Sequence, residues 1–323
     1  MRVMHVTNAY PSEAKPIKGI FIKEQIELLE RSGLEVDVYV IPEGRGWRKY
    51  ARAWWDLMRR ASSYDVVHAH HVFCGLICIL AGQRNRLVVS FLNDVGRNII
   101  GVNTRISSFF EQIVHRLSKA AIFKSPKFIN CMKEGDRLIP NSVTLKLIYD
   151  DELRESVRGK LGFRKEDCVL LFVSANDLHR KSKRYDRFVE VLEAVQSRAV
   201  SAKQLLMVNV PRDDVADYFN SADFLVVVSE FEGSPNSVKE ALASGLRVIS
   251  TNVGDVDLLC KGVPGCAVFD NFDVANFAAR IVSEFAISRN REDLQQVALL
   301  NLPSDSSALK SLREVYDGVC GDA

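Results

Sequence analysis

The sequence predicts an α/β protein built from two doubly wound, Rossmann-like domains. Short apolar segments typical of buried strands alternate with amphipathic segments along the 323 residues, and this alternation indicates mostly parallel sheets covered by helices on both faces. The alternation pauses at "IPNSV" and a charged segment and then starts again. The chain length also fits two domains, because one domain commonly has about 100–200 residues.

The first series of elements runs over residues 1–145. Its first helix should end at Gly33, because glycine readily terminates a helix. Strands are predicted in "RVMHVT", "LEVDVYVI", "YDVVHAH", "RLVVSFL" and "AIFKS", and helices in "GIFIKEQIELLERSG", "GLICILAG" and "ISSFFEQIVHRLSKA".

The second series runs over residues 146–303, and a terminal helix over 304–319 could pack back on the first domain. Strands are predicted in "DCVLLFVSAN", "KQLLMVNV", "DFLVVVS" and "LRVIST", and helices in "KRYDRFVEVLEAVQSR", "RDDVADYFNSA", "VANFAARIVSEFA" and the segment after Gly-Ser-Pro. Open parallel sheets bind ligands beyond the carboxyl ends of their strands. We therefore expect the functional residues just after strands, in a cleft between two facing domains.

Composition narrows the class of protein. The net charge of +2 gives no argument for nucleic acid as a partner. The seven cysteines include no C-x-x-C pair, which indicates reduced thiols rather than a disulfide framework. The chain opens on a strand pattern and contains no run of about 18–20 apolar residues. These observations predict a cytoplasmic location.

The most informative segment is "SEFEGSPNSVKEALASGLRVIST". Glu232 follows an apolar strand, and Glu240 lies about two turns into the next helix. With Ser234 as N-cap and Pro235 as the first helical residue, the free amides of the first turn would suit a phosphate. A carboxylate can accept two hydrogen bonds from vicinal hydroxyls. The segment therefore predicts a site for a nucleotide sugar, and a capped surface helix with two solvated glutamates is the alternative.

This segment resembles the E-x7-E segment of retaining glycosyltransferases of family 4, which have the GT-B architecture. "NAYPSEAKPIKGIFIKEQIELLERSGLEVDVYVI", "DVVHAHH", "IPNSV" and "FNSADFLVVVSEFEGSPN" resemble further segments of that family in order and spacing. The resemblance covers nearly the whole chain. It implies an acceptor-side first domain and a second domain that binds the donor.

The resemblance also implies roles for individual residues. Glu232 would hold the transferred sugar and Glu240, on a helix face shared with Asn236, would hold the ribose. The expected donor-binding residues are Gly19, Gly233, Ser234, Pro235, Asn236, Ser237 and Glu240. Gly19 would let the loop before the first helix approach the donor phosphates or the acceptor, although it could simply help the helix to start.

A basic loop, "NDLHRKSKRYDRF", follows the first strand of the second half. In the family an arginine and a lysine stabilise the departing diphosphate, as cations there would. Lys183 matches the lysine, and Arg180 is the best candidate for the arginine. Glu232, Lys183 and Arg180 are therefore the expected catalytic residues, and a solvated basic loop is the alternative.

The segment "VVSFLNDVGR" resembles a strand end at which the family often has a histidine. Leu92 occupies that position here, so the role of the histidine does not transfer. Asn93 and Asp94 remain candidates for the acceptor side. An Asx turn that ends the strand is the alternative for both.

The histidines of "DVVHAHH" could suggest a metal site. His68 and His70 should share one face of a strand, with His71 on the other. They have no carboxylate or cysteine partner at a useful spacing, and the resemblance implies an enzyme that needs no metal ion. We expect neither a metal nor another cofactor.

The segment "GRGWRKYARAWWDLMRR" predicts a basic amphipathic helix rich in aromatic residues. Such a helix could lie on an anionic membrane surface, or it could pack its aromatic residues on the sheet. On the first alternative the protein would be peripheral on the inner face of the membrane. The candidate contact residues are Trp47, Arg48, Tyr50, Trp54 and Arg59.

The functional hypothesis is a retaining hexosyltransferase of polysaccharide or glycolipid biosynthesis. It would move a sugar from a nucleotide diphosphate donor to a glycan or lipid-linked acceptor hydroxyl. The alternatives are another GT-B enzyme, an epimerase or a phosphorylase, and a decayed nucleotide-sugar-binding or scaffold protein. A nicotinamide enzyme is disfavoured because no G-x-G-x-x-G follows a predicted strand.

Overall fold

The computed structural model describes residues 1–13, 15, 17–42, 48–94, 96–99, 102–143, 149–175 and 177–321. The chain divides into two compact units. The first unit contains Met1–Ser142 and Pro303–Ala323, and the second contains Val143–Leu302. The expected domain boundary between residues 145 and 146 lies outside the described residues.

The first unit is an α/β layer structure around a parallel sheet. Its elements up to residue 142 are β1 (Arg2–Thr7), α1 (Ile20–Arg31), β2 (Glu35–Val40), α2 (Arg48–Arg60), β3 (Val66–His70), α3 (Val72–Leu80), β4 (Leu87–Phe91), α4 (Thr104–Leu117), β5 (Ala120–Phe123) and β6 (Arg137–Leu138). Among the described residues the strand order is β2-β1-β3-β4-β5-β6, and each neighbouring pair is parallel.

The second unit has the same kind of layers around a second sheet. Its elements are α5 (Asp151–Lys160), β7 (Cys168–Ser174), α6 (Tyr185–Gln196), β8 (Ala202–Val208), α7 (Val215–Ser221), β9 (Phe224–Val227), α8 (Asn236–Ala243), β10 (Arg247–Thr251), α9 (Val256–Cys260), β11 (Ala267–Phe269), α10 (Val274–Phe285) and α11 (Arg291–Leu299). Within the described part, the parallel strand order is β11-β10-β9-β7-β8.

The last helix, α12 (Asp305–Gly321), belongs to the first unit. It packs with α1 on one face of the first sheet and buries Leu312, Val315 and Tyr316 there. The opposite face carries α2, α3 and α4. Because successive strand residues point to opposite faces, Val6 of β1 joins the second of these cores and Val3 joins the first.

The predicted α/β class with two parallel sheets is confirmed. Some local expectations were incomplete: α5 lies in the charged segment before residue 167, where no element was expected, and β6, β11, α9 and α11 were also missed. These elements are short or polar, so their apolar periodicity is weak. α5 has Asp150 as its N-cap, whose side chain accepts a hydrogen bond from Leu153 N–H at 2.8 Å.

Candidate active site

The turn between β9 and α8 differs in detail from the expectation. α8 begins at Asn236, and Pro235 is its N-cap in an extended conformation. Ser234 is therefore not the cap, and Pro235 is not the first helical residue. The Ser234 hydroxyl instead donates to Asp255 Oδ2 at 2.5 Å and accepts from Lys239 Nζ. Charged partners form stronger hydrogen bonds than an amide does, which explains why the hydroxyl turns away from the helix start.

A close backbone contact supports this turn. Gly254, after β10, has a φ of +58°, and a Cβ there would lie 2.2 Å from the carbonyl oxygen of Gly233. Any other residue at position 254 would push the two loops apart. Gly233, Ser234 and Pro235 are buried, whereas Asn236 and Ser237 are half-buried. The start of α8 is thus held by the neighbouring loop.

Glu232 and Lys183 form an ion pair at the carboxyl end of the second sheet. Lys183 Nζ lies 2.8 Å from Glu232 Oε1, and the side chains are 14% and 16% exposed. The Ser229 hydroxyl also donates to Glu232 Oε1, at 2.9 Å. Lys183 follows β7 and Glu232 follows β9, which are neighbours in the sheet. The structure therefore brings together two of the three expected catalytic residues.

The third expected catalytic residue, Arg180, lies outside this pair. Its side chain is exposed, and its backbone takes part in the turn: Arg180 N–H donates to the Asp177 carbonyl at 3.3 Å, and the Arg180 carbonyl accepts from Lys183 N–H at 2.9 Å. Arg184, from the same basic loop, pairs with Asp186 at 2.6 Å and with Glu230 at 2.7 Å. Lys183, Arg180 and Arg184 therefore have different surroundings, which their spacing in the sequence did not reveal.

Glu240 is buried rather than open to solvent. It forms an ion pair with Arg212, whose side chain is 41% exposed. Burial raises the pKa of Glu240, and Arg212 opposes that rise. Arg212 follows β8 and was missed by the sequence reasoning. Its only signal is a cation shortly after a predicted strand.

Lys239 is a second residue that sequence reasoning missed. Its side chain is fully buried beside Ser234. Burial lowers its pKa to about 8, while Asp255 and Glu240 act in the opposite direction. A cation in this position cancels part of the negative charge behind the helix start.

In the first unit, Gly19 and Asp94 have clear structural roles. Gly19 is the N-cap of α1 with a φ of 68°, and a Cβ there would lie 2.1 Å from the Ala9 carbonyl oxygen. Asp94 accepts from the Ser125 hydroxyl at 2.6 Å and from Lys127 Nζ at 2.8 Å. Asn93 exchanges hydrogen bonds with Asn98, whose Oδ1 accepts from Asn93 N–H at 2.8 Å. Asn93 and Asp94 thus order the loop after β4.

The histidines form a buried hydrogen-bonded group with a member that was not expected, His5. His5 Nδ1 and His70 Nε2 are 2.8 Å apart, and His68 Nδ1 lies 2.7 Å from the Tyr316 hydroxyl. His71 points elsewhere and caps α3. Burial lowers the pKa of His5 to about 3 and also lowers those of His68 and His70. The group is therefore neutral at physiological pH.

The proposed membrane helix is partly a core helix. Leu57 of α2 is fully buried, and Tyr50 packs against the same core. Trp54 is 38% exposed and donates through Nε1 to the Leu80 carbonyl at 3.0 Å. Trp55, which was not singled out, is more exposed, at 50%. Trp47 lies outside the described residues.

None of the helices in the described part of the chain combines the length and apolar character needed to cross a lipid bilayer.

The chain is similar in sequence to known glycosyltransferases. Residues 163–285 match the family described as "Glycosyl transferases group 1". The chain is 22% identical to the putative teichuronic acid biosynthesis glycosyltransferase TuaC of Bacillus subtilis (strain 168), over 80% of this chain and 83% of the relative.

Two solved structures share the fold. The sucrose-phosphate synthase of Thermosynechococcus elongatus has a TM-score of 0.75 and 16% identity, with 100% of each chain covered. Anabaena HepE in complex with UDP and glucose has a TM-score of 0.70 and 14% identity, over 97% of this chain and 98% of that one. The family match and the relative support a glycosyltransferase enzyme, and the solved structures show that the chain has the GT-B fold.

Proposed function

We propose that the protein is a retaining hexosyltransferase that uses a nucleotide diphosphate sugar and a glycan or lipid-linked acceptor. The observation that carries the proposal is the contact of Lys183 with Glu232 beside the start of α8. A carboxylate for a sugar, a cation for a diphosphate and free helix amides are the three groups that such a donor requires.

Donor binding would change the partners of this pair. The diphosphate takes Lys183 as its counter-ion, and Glu232 then accepts hydrogen bonds from the hydroxyls of the sugar. Arg180 reaches the diphosphate from its exposed position. As the bond to the sugar breaks, negative charge grows on the leaving diphosphate, and a fixed cation stabilises that charge most in the transition state.

Glu240 would hold the ribose of the donor. Its pairing with Arg212 keeps the buried carboxylate ionised and leaves it able to accept hydrogen bonds from two hydroxyls. The Lys239–Ser234–Asp255 contacts behind the turn hold Gly233 and the α8 amides in position for the phosphates. The solved structure of HepE, which shares the fold, is a complex with UDP and glucose, and this supports the proposed donor class.

The stereochemical proposal follows from the family resemblance. The leaving diphosphate takes the proton of the acceptor hydroxyl, and the acceptor attacks from the face that the diphosphate leaves. The first unit would bind the acceptor near Asn93 and Asp94. Neither a metal ion nor another cofactor is needed, because Lys183 and the α8 amides supply the positive charge; activity that survives EDTA treatment is the expected result.

The outer face of α2 is the proposed membrane contact. Trp54, Trp55 and Met58 are exposed there beside Arg59, whose guanidinium lies 5.6 Å from the centre of a Trp55 ring. Exposed aromatic residues among cations suit an anionic lipid surface. Flotation with anionic vesicles tests this, with Trp55→Ser as the variant. Equal flotation of the unaltered protein and of Trp55→Ser would contradict the proposed membrane contact.

The main experiment incubates the protein with several nucleotide sugars and an acceptor panel. We expect nucleoside diphosphate release that depends on the acceptor and a product with the anomeric configuration of the donor, read by NMR. Donor binding without transfer across the panel would favour a nucleotide-sugar-binding protein. Sugar release that requires inorganic phosphate would favour a phosphorylase.

A further inference from the structure

The second unit has a polar cavity at the amino ends of its strands, which we call the arginine pocket. Its volume is about 380 Å³. Asp223 lies just before β9, Arg247 is the first residue of β10, and both line the cavity. Lys183, Glu232 and the α8 start follow the carboxyl ends of their strands. The arginine pocket is therefore separate from the proposed donor site.

The lining of the arginine pocket has an excess of positive charge. Among the described residues that line it, one is an acid, Asp223, and four are arginines: Arg154, Arg247, Arg289 and Arg291. This imbalance is unusual for a partly buried region, where charges are normally paired.

The single lining carboxylate is already engaged. Asp223 Oδ1 accepts from Arg154 at 2.6 Å. Its Oδ2 accepts from Arg158 at 3.2 Å and from Val169 N–H at 2.7 Å. Asp223 therefore balances Arg154 and Arg158 at most, and it has little capacity left for the other cations.

Arg247 and Arg291 have mainly neutral partners. Arg247 donates to the Glu284 carbonyl at 2.5 Å and stacks 4.2 Å from the centre of the Phe224 ring. Arg291 donates to the Phe219 carbonyl at 3.1 Å and lies 4.8 Å from the centre of the Tyr149 ring. Carbonyls and rings orient a guanidinium without cancelling its charge.

The electrostatic surroundings of Arg291 and Arg247 agree with this geometry. Burial, followed by repulsion from Arg154, lowers the pKa of Arg291 to about 9. Burial also lowers the pKa of Arg247. Both charged forms are thus disfavoured as the structure stands, and an anion in the cavity would stabilise them.

Arg289 shares its partner with a residue outside the cavity. It donates to Glu284 Oε2 at 2.8 and 3.0 Å, while Arg280 lies 3.1 Å from Glu284 Oε1. Glu284 therefore faces two cations. Arg280 does not line the cavity, so these two arginines form a matched pair for an experiment.

We propose that the arginine pocket binds the phosphate group of a small phosphorylated molecule. Guanidinium groups bind phosphate through paired N–H donors, and a cavity of this size accommodates more than a bare ion. Tyr149 adds an aromatic ring to the wall for the remainder of the ligand. This site does not depend on the proposed donor chemistry.

The test is calorimetric titration of the full chain with inorganic phosphate at constant ionic strength, with chloride as the reference anion. Arg289→Gln should weaken phosphate binding about tenfold, the size of one charge-assisted hydrogen bond. Arg280→Gln should bind phosphate like the unaltered protein, and Lys183→Ala should keep the component of phosphate binding that Arg289→Gln loses. Ser288→Glu, which adds a carboxylate at the exposed rim of the cavity, should also weaken binding.

Four outcomes would overturn the proposal. The first is the absence of saturable phosphate binding, and the second is an equal loss in Arg280→Gln. The third is a loss confined to Lys183→Ala, which would place the phosphate in the donor site. The fourth is Arg289-dependent binding to vesicles of anionic phospholipid without binding of free phosphate, because the ligand would then be a lipid headgroup.

Discussion

Lys183 Nζ lies 2.8 Å from Glu232 Oε1, although 48 residues separate the two positions in the chain. The contact arises because β7 and β9 are neighbours, so the connections that follow them meet at one edge of the sheet. Both side chains are mostly removed from solvent, where an unpaired charge would be costly. In our proposal the pair is the resting arrangement of two groups that separate onto the donor.

The first prediction concerns this pair. Lys183→Ala and Glu232→Gln should each lower kcat about 10²–10³-fold, the usual effect of removing one group that stabilises transition-state charge. Steady-state transfer assays measure it. Lys181→Ala, an exposed cation of the same loop, is the control and should keep normal turnover. The kcat of Arg180→Ala should lie between those of Lys183→Ala and Lys181→Ala. Normal turnover in Lys183→Ala would refute the catalytic role assigned to Lys183.

A second prediction concerns Arg212 and the ribose. Arg212→Gln removes the cation that pairs directly with the buried Glu240 carboxylate, so Glu240 protonates more readily and binds the ribose less well. The KM for the donor should rise about tenfold with a smaller change in kcat. The neighbouring exposed residue supplies the control, Asp213→Asn. An unchanged donor KM in Arg212→Gln would argue against Glu240 as the ribose ligand.

The third prediction is a pH effect at Lys239. Its pKa is about 8 in the folded protein and about 10.4 when unfolded. Between these two pH values the unfolded chain therefore binds more protons than the folded protein. The free energy of unfolding consequently increases as the pH rises from about 8 to about 10.4. The gain is at most ~3 kcal/mol. Hydrogen exchange of the α8 amides measures it.

Lys239→Met is the comparison for that experiment, because methionine fills a similar volume without a charge. The variant should lose the part of the pH dependence that Lys239 supplies. Equal slopes in both proteins would mean that the ammonium group keeps its ordinary pKa.

The fourth prediction concerns acid stability of the first unit. His5, His68 and His70 are buried and neutral, and their pKa values lie below the unfolded value of about 6.5. The stability that these neutral histidines contribute to the folded protein is fully present above about pH 6.5. It is lost as the pH falls towards their pKa values in the folded state. Each histidine can lower the free energy of unfolding by ~2 kcal/mol as the pH falls from about 6.5 to about 5.

Tryptophan fluorescence during denaturation reports on the first unit, since all three tryptophans lie between residues 47 and 55. His70→Asn should reduce the slope of stability against pH by about one proton. His179→Asn, at an exposed position in the second unit, should leave the slope unchanged. A slope that does not respond to His70→Asn would contradict the assignment.

Structural features that depend on a local pattern of residues could be predicted from the sequence. Alternating apolar segments predicted the two parallel sheets, and the position of Lys183 and Glu232 after strands predicted their common edge. Sequence reasoning failed where a distant residue decides the local structure. Ser234 is a good N-cap by type, but Asp255 and Lys239 take its hydroxyl.

Single residues without a motif were also missed. In the sequence, Arg212 is a single cation in an ordinary loop. Only the structure shows that it pairs with Glu240. His5 is one polar residue in an apolar strand until β3 brings His70 within hydrogen-bond distance. Helical spacing places Tyr50 with Trp54 among the candidate membrane contacts, whereas in the structure Tyr50 packs against the core of the first unit.

Because α12 follows the second unit in the chain, it completes the first unit only after the second has been synthesised. The second unit is an insertion between two parts of the first, and Cys320 Sγ returns to within 3.8 Å of Met1 Sδ. During synthesis, the sheet face that α12 covers must wait until some 160 later residues have emerged from the ribosome. His68 meets its Tyr316 partner only then, so the second unit can fold while the first is still incomplete.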